Sequence, residues 1–251
     1  MTMKINLKNL LLPGTLACAL ALLAFSSGCA TAQTAATTSN DSVTAIDILL
    51  EPDSTMIEHA EAVNARLRGV FPMGYALDAA HRPHISMYQC FVPTAKLDEV
   101  FATADKVLSA GNITALKLEA FKYYYLPAGK IGLSGIVIKT TPELLKLQAD
   151  LIDAVKPLTV KTGTTAAFFT TPEHPDIHPE LIPYVEVFAT KHAGEHFEPH
   201  VSTGVATREY LDKMLAEPFE NFTFSPAGAA VYQLGDYGTA AKKLHDFDLK
   251  P

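Results

Sequence analysis

The tetrapeptide Pro83-His84-Ile85-Ser86 recurs as Pro199-His200-Val201-Ser202, and this repeat constrains the chain more than any other feature. Each copy opens a stretch rich in strand-forming residues. Each is followed by a helix-compatible stretch carrying Leu-Asp, at Leu97-Asp98 and again at Leu211-Asp212. One strand-helix unit used twice predicts a domain of two pseudo-symmetric halves. Residues i and i+2 of a strand share a face, so His84 should project with Ser86 and His200 with Ser202, while Ile85 and Val201 turn inward.

The surrounding pattern fits that reading. Val43 to Leu50 alternates, with Ile46, Ile48 and Leu50 on one face, as a half-buried strand does. Helical spacing follows over Glu58 to Leu67, with Ile57, Ala60, Val63, Ala65 and Leu67 inward, and Gly69 and Pro72 end it. Ile85 to Val92 reads as a strand closed by Pro93. Thr94 is the expected cap of a helix through Leu97, Val100, Phe101, Ala104 and Leu108. Ile113 to Tyr125 and Lys130 to Lys139 predict a hairpin, with Leu126-Pro127-Ala128-Gly129 as a four-residue loop. Thr141 and Pro142 start a helix with Leu144, Leu147, Leu151 and Val155 on its stripe. Further helices are expected over His178 to Ala193, with Tyr184, Val187 and Phe188 inward, and over Glu209 to Leu215. Phe222 to Leu234 should be extended. The expected class is α+β: a bilobal domain with antiparallel sheets and flanking helices around a central cleft. There is no Gly-rich phosphate loop.

The N-terminal stretch reads as an export signal. Lys4 and Lys8 precede an apolar run from Leu10 to Phe25, and Ser26-Ser27-Gly28-Cys29 then resembles a lipoprotein processing site. Cleavage after Ala30-Thr31-Ala32 is the competing reading. The expected organisation is a signal peptide over 1–28, a flexible tether over 29–41 and a single bilobal domain over 42–251. Cys29 would carry the lipid, which places the protein in a bacterial envelope or periplasm and anchors it to the membrane. Loss of Lys4 and Lys8 deepens the net charge from -7 to -9. Such acidity excludes a sequence-independent grip on long nucleic acid, which needs many cations against phosphates, but it admits a small phosphorylated ligand. Cys90 is then the remaining cysteine, so no intramolecular disulfide and no cysteine-based zinc site is available.

Two imidazoles and two hydroxyls on facing strands suit a phosphoryl displacement. One imidazole can be neutral and the other protonated near pH 7, serving as base and acid, while serine hydroxyls donate to non-bridging oxygens. At these residues the chain resembles the two-histidine phosphoesterase superfamily, which includes 2',5'-RNA ligase-like proteins and cyclic nucleotide phosphodiesterases. The resemblance implies a cleft between two halves, no metal and no cofactor, with His84 and His200 as the acid-base pair and Ser86 and Ser202 as phosphate ligands. It also implies hydrolysis of 2',3'-cyclic substrates to 2'-phosphates. Both hydroxyls are Ser where Thr is common in the family. Which histidine is acid stays open at this stage.

The expected activity is hydrolysis of a small cyclic phosphodiester, a 2',3'-cyclic nucleotide or an oligonucleotide end. The alternative is a non-catalytic lipoprotein that binds a phosphorylated or envelope-derived ligand in the same cleft. Tyr88 lies two residues past Ser86, where its ring could stack on a base or pack in the core. Tyr237, in the Gly-interrupted segment Gly235-Asp236-Tyr237-Gly238, is a second candidate contact. One ring of Tyr123-Tyr124-Tyr125 should line the cleft, and Lys130 could approach a phosphate or guard a sheet edge. His192, His196 and His200 have helical spacing that could suggest zinc, but Gly194 and Pro199 interrupt such a helix. His174 and His178 lie in a Pro-rich loop. A monomer is expected.

Overall fold

Alternating and doubly buried strand patterns build the domain around two antiparallel sheets. The structure is a computed structural model, and it describes residues 42–172 and 175–249. The expected signal peptide, tether and lipidation site at Cys29 lie outside the described residues, as does His174.

In chain order the elements are β1 (Val43–Pro52), α1 (Ser54–Val70), β2 (Ile85–Pro93), α2 (Leu97–Ala110), β3 (Leu118–Ala128), β4 (Ile131–Ile138) and α3 (Pro142–Val155). Then come α4 (Leu181–Lys191), β5 (His200–Thr207), α5 (Arg208–Leu215), β6 (Phe222–Phe224), β7 (Pro226–Leu234) and β8 (Ala240–Asp246). One sheet has the strand order β2-β1-β7-β8 and the other β5-β4-β3-β6, with every pairing antiparallel. The class is therefore α+β with two four-stranded sheets and flanking helices. The motif strands β2 and β5 are both sheet edges, each beside a strand from its own half, β1 or β4. The third position is exchanged: after α2 the chain crosses to β3 in the second sheet, and β7 returns to the first.

The duplication extends to a backbone irregularity that the sequence alone does not announce. β1 and β2 pair regularly as far as Ile48 and Tyr88, but Leu49 then faces Ser86, so Met87 is an extra residue. In β4 and β5, Ser134 faces Gly204 and Gly135 faces Ser202, which leaves Thr203 extra. Each motif strand thus carries a β-bulge directly after its serine, and a bulge shifts the phase of every side chain beyond it.

Both bulges are held by a buried amide from the opposite half. Asn64 on α1 donates from Nδ2 to the Thr203 carbonyl at 2.9 Å and the Tyr75 carbonyl at 3.0 Å, while its Oδ1 accepts from the Leu77 N–H. Gln148 on α3 donates from Nε2 to the Met87 carbonyl and the His192 carbonyl, both at 3.3 Å, and accepts from the Gly194 N–H. Gly204, at φ 134°, has the backbone freedom this packing needs, since a Cβ there would stand 2.8 Å from Asn64 Nδ2. The clasps sit beside one apolar cluster fed by both halves, including Ile46, Met87, Leu144, Val201 and Val231.

Several local expectations are corrected. The β3–β4 turn holds two residues, Gly129 and Lys130, because Leu126-Pro127-Ala128 continues the strand and Ala128 pairs with Ile131. Thr94 does not cap α2: it lies in a short 3₁₀ turn and bonds Thr44 across the sheet. Val187 is exposed on α4, with Val185 buried in its place, and on α1 Ala65 is exposed while Asn64 and Met56 turn inward. The edge strand β8 lacks an apolar pattern and was not anticipated. Thr141 caps α3 as expected, accepting from the Leu144 N–H, with Pro142 beside it. Among the described residues no helix is long and apolar enough to cross a membrane.

Asn64→Ala strands two buried carbonyls, those of Thr203 and Tyr75, and the half-buried Leu77 N–H in an otherwise intact interior. The expected loss is about 2–4 kcal/mol of unfolding free energy, read from urea midpoints, because each buried unpaired group costs roughly 1–3 kcal/mol before relaxation or water entry.

Candidate active site

β2 and β5 approach each other across the two sheets and carry both motifs to one cavity of about 290 Å³. Its lining includes His84, Ser86, Gln89, His200 and Ser202, with Tyr124 and Leu133 from the β3–β4 hairpin, Tyr184 and Phe188 from α4, and Tyr237. All four motif side chains named from the sequence therefore meet at one place.

The two histidines are oriented alike. His84 Nδ1 lies 2.7 Å from the Arg82 carbonyl and His200 Nδ1 lies 2.8 Å from the Glu198 carbonyl, two residues upstream in each case. A carbonyl only accepts, so each Nδ1 carries the proton and each Nε2 is left for chemistry. Tyr124 helps to hold His200, with its ring edge-on to the imidazole at 4.8 Å between centroids. That ring lies across Gly135, where a Cβ would stand closer to it than contact allows.

Beneath the His84 side runs a buried polar network. Asp47, fully buried on β1, accepts from the Ser86 hydroxyl at 2.5 Å and from Gln89 Nε2 at 3.0 Å, and its Oδ2 lies 3.5 Å from His84 Nε2. Gln89 also donates to Ser86 Oγ at 3.1 Å. The Ser86 proton is thus committed to Asp47. Ser202 makes no side-chain hydrogen bond among the described residues and is the readier donor to a ligand. The expected equivalence of the two serines does not hold.

The imidazoles titrate in opposite directions. Burial alone would push His84 down, but the Asp47 carboxylate, with the Arg82 carbonyl and the more distant Glu51 adding to it, outweighs burial and holds His84 above the usual imidazole value. Burial pushes His200 below that value; the Glu198 carbonyl offsets this in part, and His84 repels a second charge. Burial likewise lowers His192.

Tyr88 does not share the Ser86 face, contrary to the simple alternation. The bulge at Met87 intervenes, so Gln89 takes the cleft side, while Tyr88 is buried with its ring 6.3 Å from Phe188. Tyr237 does line the cavity, in the left-handed region at φ 57°, a conformation that costs energy in a bulky residue. Asp236 anchors this turn by accepting from the His178 N–H at 2.7 Å. Of the tyrosine run, Tyr124 lines the cavity, while Tyr125 bonds Asp212. His178, His192 and His196 also line it, and Lys130 does not. Among the described residues no three potential ligands converge to hold a metal.

Sequence reasoning missed Asp47 and Gln89; it placed Tyr184 and Phe188 inward and weighed His192 only for zinc, but did not see that the three rings, four residues apart along α4 and its C-cap, form a ladder on the cavity wall. A lone carboxylate inside the apolar run Ala45 to Leu50 was the available signal for Asp47.

No protein-family model and no curated protein matches the chain. Similar solved structures include TT0787 of Thermus thermophilus, at 14% identity over 81% of this chain and 97% of that one, with a TM-score of 0.49. E. coli LigT complexed with 3'-AMP is 12% identical over 84% and 100%, with a TM-score of 0.40. Kluyveromyces marxianus Usb1 is 12% identical over 82% and 99%, with a TM-score of 0.41.

Gly135→Ala should force the Tyr124 ring off His200 and destabilise the domain by about 1–3 kcal/mol, as overpacking does. In a Tyr124→Ala background the same change should cost less, the 3.0 Å approach to the Val201 carbonyl being what remains. Equal costs in the two backgrounds, read by a urea double-mutant cycle, would refute this contact.

Proposed function

We propose that this protein is a metal-independent phosphodiesterase that opens a small cyclic phosphodiester, a 2',3'-cyclic nucleotide or the cyclic end of a short oligonucleotide. The observation that carries this reading is the pair of imidazoles, each pinned at Nδ1 by a backbone carbonyl and each offering Nε2 to the same cavity. The resemblance of both motifs to the two-histidine phosphoesterases agrees with it.

One imidazole takes a proton from water as the water oxygen bonds to phosphorus. The bond from phosphorus to one ribose oxygen breaks, and the other imidazole gives that oxygen its proton. Afterwards the base is protonated and the acid neutral, and exchange with solvent restores both. The Ser202 hydroxyl donates to a non-bridging oxygen, where charge accumulates. Acid, base and donor are all side chains, so the chemistry asks for no metal. The ladder of Tyr184, Phe188 and His192 offers flat faces to the organic part of the substrate.

In this reading the enzyme works outside the cytoplasm, held to the membrane through lipid on Cys29. Cys29→Ser should move the protein from the membrane pellet to the soluble fraction and abolish labelling by a palmitate probe. An unlabelled wild type removes the anchor.

The activity is tested on residues 30–251 in EDTA with 2',3'- and 3',5'-cyclic nucleotides, followed by phosphorus NMR. The wild type should convert a 2',3'-cyclic nucleotide to its 2'-phosphate. His84→Ala and His200→Ala should each lose about 10²–10⁴-fold in rate, the range for an acid-base group. Dependence on added metal, or normal turnover by either variant, would sink the proposal.

A further inference from the structure

The halves repeat strand for strand, so each side chain near one histidine has an equivalent near the other. Counting from the bulges, Ser86 faces Leu49 as Ser202 faces Gly135, and Gln89 faces Asp47 as Val205 faces Leu133. The buried pair Asp47 and Gln89 therefore corresponds to an apolar pair, Leu133 and Val205. Here the two-fold symmetry of the site is broken.

Resting on the phosphodiesterase reading, we propose that Asp47 is a positioning residue that fixes the direction of the reaction: it makes His84 the general acid, and His200, with leucine at the equivalent place, the general base. A carboxylate beside an imidazole favours the protonated ring, whereas burial without one favours the neutral ring. The 3.5 Å separation of Asp47 Oδ2 from His84 Nε2 exceeds a normal hydrogen bond, so the charge is stabilised while the Nε2 proton stays available to a leaving oxygen. Ser86 and Gln89, both donating to Oδ2, hold the carboxylate in place. Among the described residues His200 forms no ion pair, and its Nε2 is free to take a proton from water.

The other groups around the rings reinforce the difference. His84 feels Glu51 from β1, which favours its cation, and lies beside His200 of β5, Arg82 of its own lead-in, and Tyr237 of the turn before β8. His200 feels Glu198 of its own lead-in, His192 at the end of α4, His84 of β2 and the Tyr124 ring of β3. In the forward step His200 Nε2 gains the proton of water, the water oxygen joins phosphorus, the phosphorus bond to the ribose oxygen breaks, and His84 Nε2 surrenders its proton to that oxygen.

The experiment has two arms. In the first, the two imidazoles of the wild type and of Asp47→Asn are titrated by NMR. His84 should titrate above His200, and Asp47→Asn should lower His84 by about one pH unit or more with little change in His200. The falling limb of the kcat/KM profile on 2',3'-cyclic AMP should move to lower pH by the same amount while the rising limb stays. A wild type in which His200 titrates higher, or a variant in which neither His84 nor the falling limb moves, overturns the role of Asp47. If Asp47→Asn does not fold, Asp47→Glu replaces it: the retained carboxylate should keep His84 above His200, and a His84 that falls to or below His200 in that variant overturns the role of Asp47. The wild-type titration by itself decides the order of the two imidazoles.

The second arm uses a p-nitrophenyl phosphodiester, whose phenolate leaves without a proton. In kcat, His84→Ala should recover to within about 10-fold of the wild type on this substrate, with KM still raised for want of its charge, while His200→Ala stays as impaired as on the nucleotide. The reverse pattern, or no recovery by either, overturns the assignment. A wild type that cleaves neither substrate defeats the phosphodiesterase reading itself, which is a separate outcome from the imidazole order measured by NMR.

Discussion

Two carboxamides hold the site in register. Asn64 and Gln148 each reach across to the carbonyl of the extra residue in the opposite motif strand, and each also bonds the loop that leads into its neighbourhood. A bulge leaves backbone groups outside the ladder, and a buried carbonyl without a partner is costly. The clasps meet that demand with side chains from the other half, so neither bulge is complete until both halves are docked. The positions of Ser86 and Ser202, one residue before each bulge, inherit this dependence.

Near-symmetry accounts for the paired histidines, and its failure gives them different characters. The backbone treats His84 and His200 alike through the Arg82 and Glu198 carbonyls. Side chains one strand further in do not, since a buried Asp47 stands where the second half has Leu133. A duplicated fold supplies two cavity-facing imidazoles at little structural cost, but the proposed acid-base reaction needs them to be unequal. The buried pair Asp47 and Gln89 behind one motif, against Leu133 and Val205 behind the other, supplies that difference in the proposed mechanism, because it changes the charge preference of one ring while the backbone holds both rings alike.

How much of this was legible in the chain depends on whether the signal is local. The pairing of His84-x-Ser86 with His200-x-Ser202 was, as were the cap at Thr141 and the apolar stripe of α3, because those signals lie within a few residues. The bulges were not. An inserted residue leaves no mark on composition, yet it moved Tyr88 from the cleft to the core and put Gln89 in its place. The exchange of β3 and β7 between sheets is a long-range choice that strand patterns cannot express. Asp47 lay in plain view within an apolar run, but its meaning required the partner strand.

The lining of the cavity limits where positive charge can come from. Among the described lining residues there is no Lys or Arg; there are five histidines, His84, His178, His192, His196 and His200, and two glutamates, Glu180 and Glu198. Arg82 stands in a small adjoining depression behind His84 and Ser202. Burial biases His192 and His200 toward the neutral ring, whereas Asp47 biases His84 toward the protonated one, so in the proposed reaction His84 is the imidazole best placed to meet a phosphodiester as a cation. In the proposed reaction the same proton serves two purposes: it attracts the anion, and it is the proton later given to the leaving oxygen. Losing it with rising pH removes the anion's counter-charge and the acid together, so binding and chemistry are coupled through one titrating group rather than tuned separately by a permanent cation.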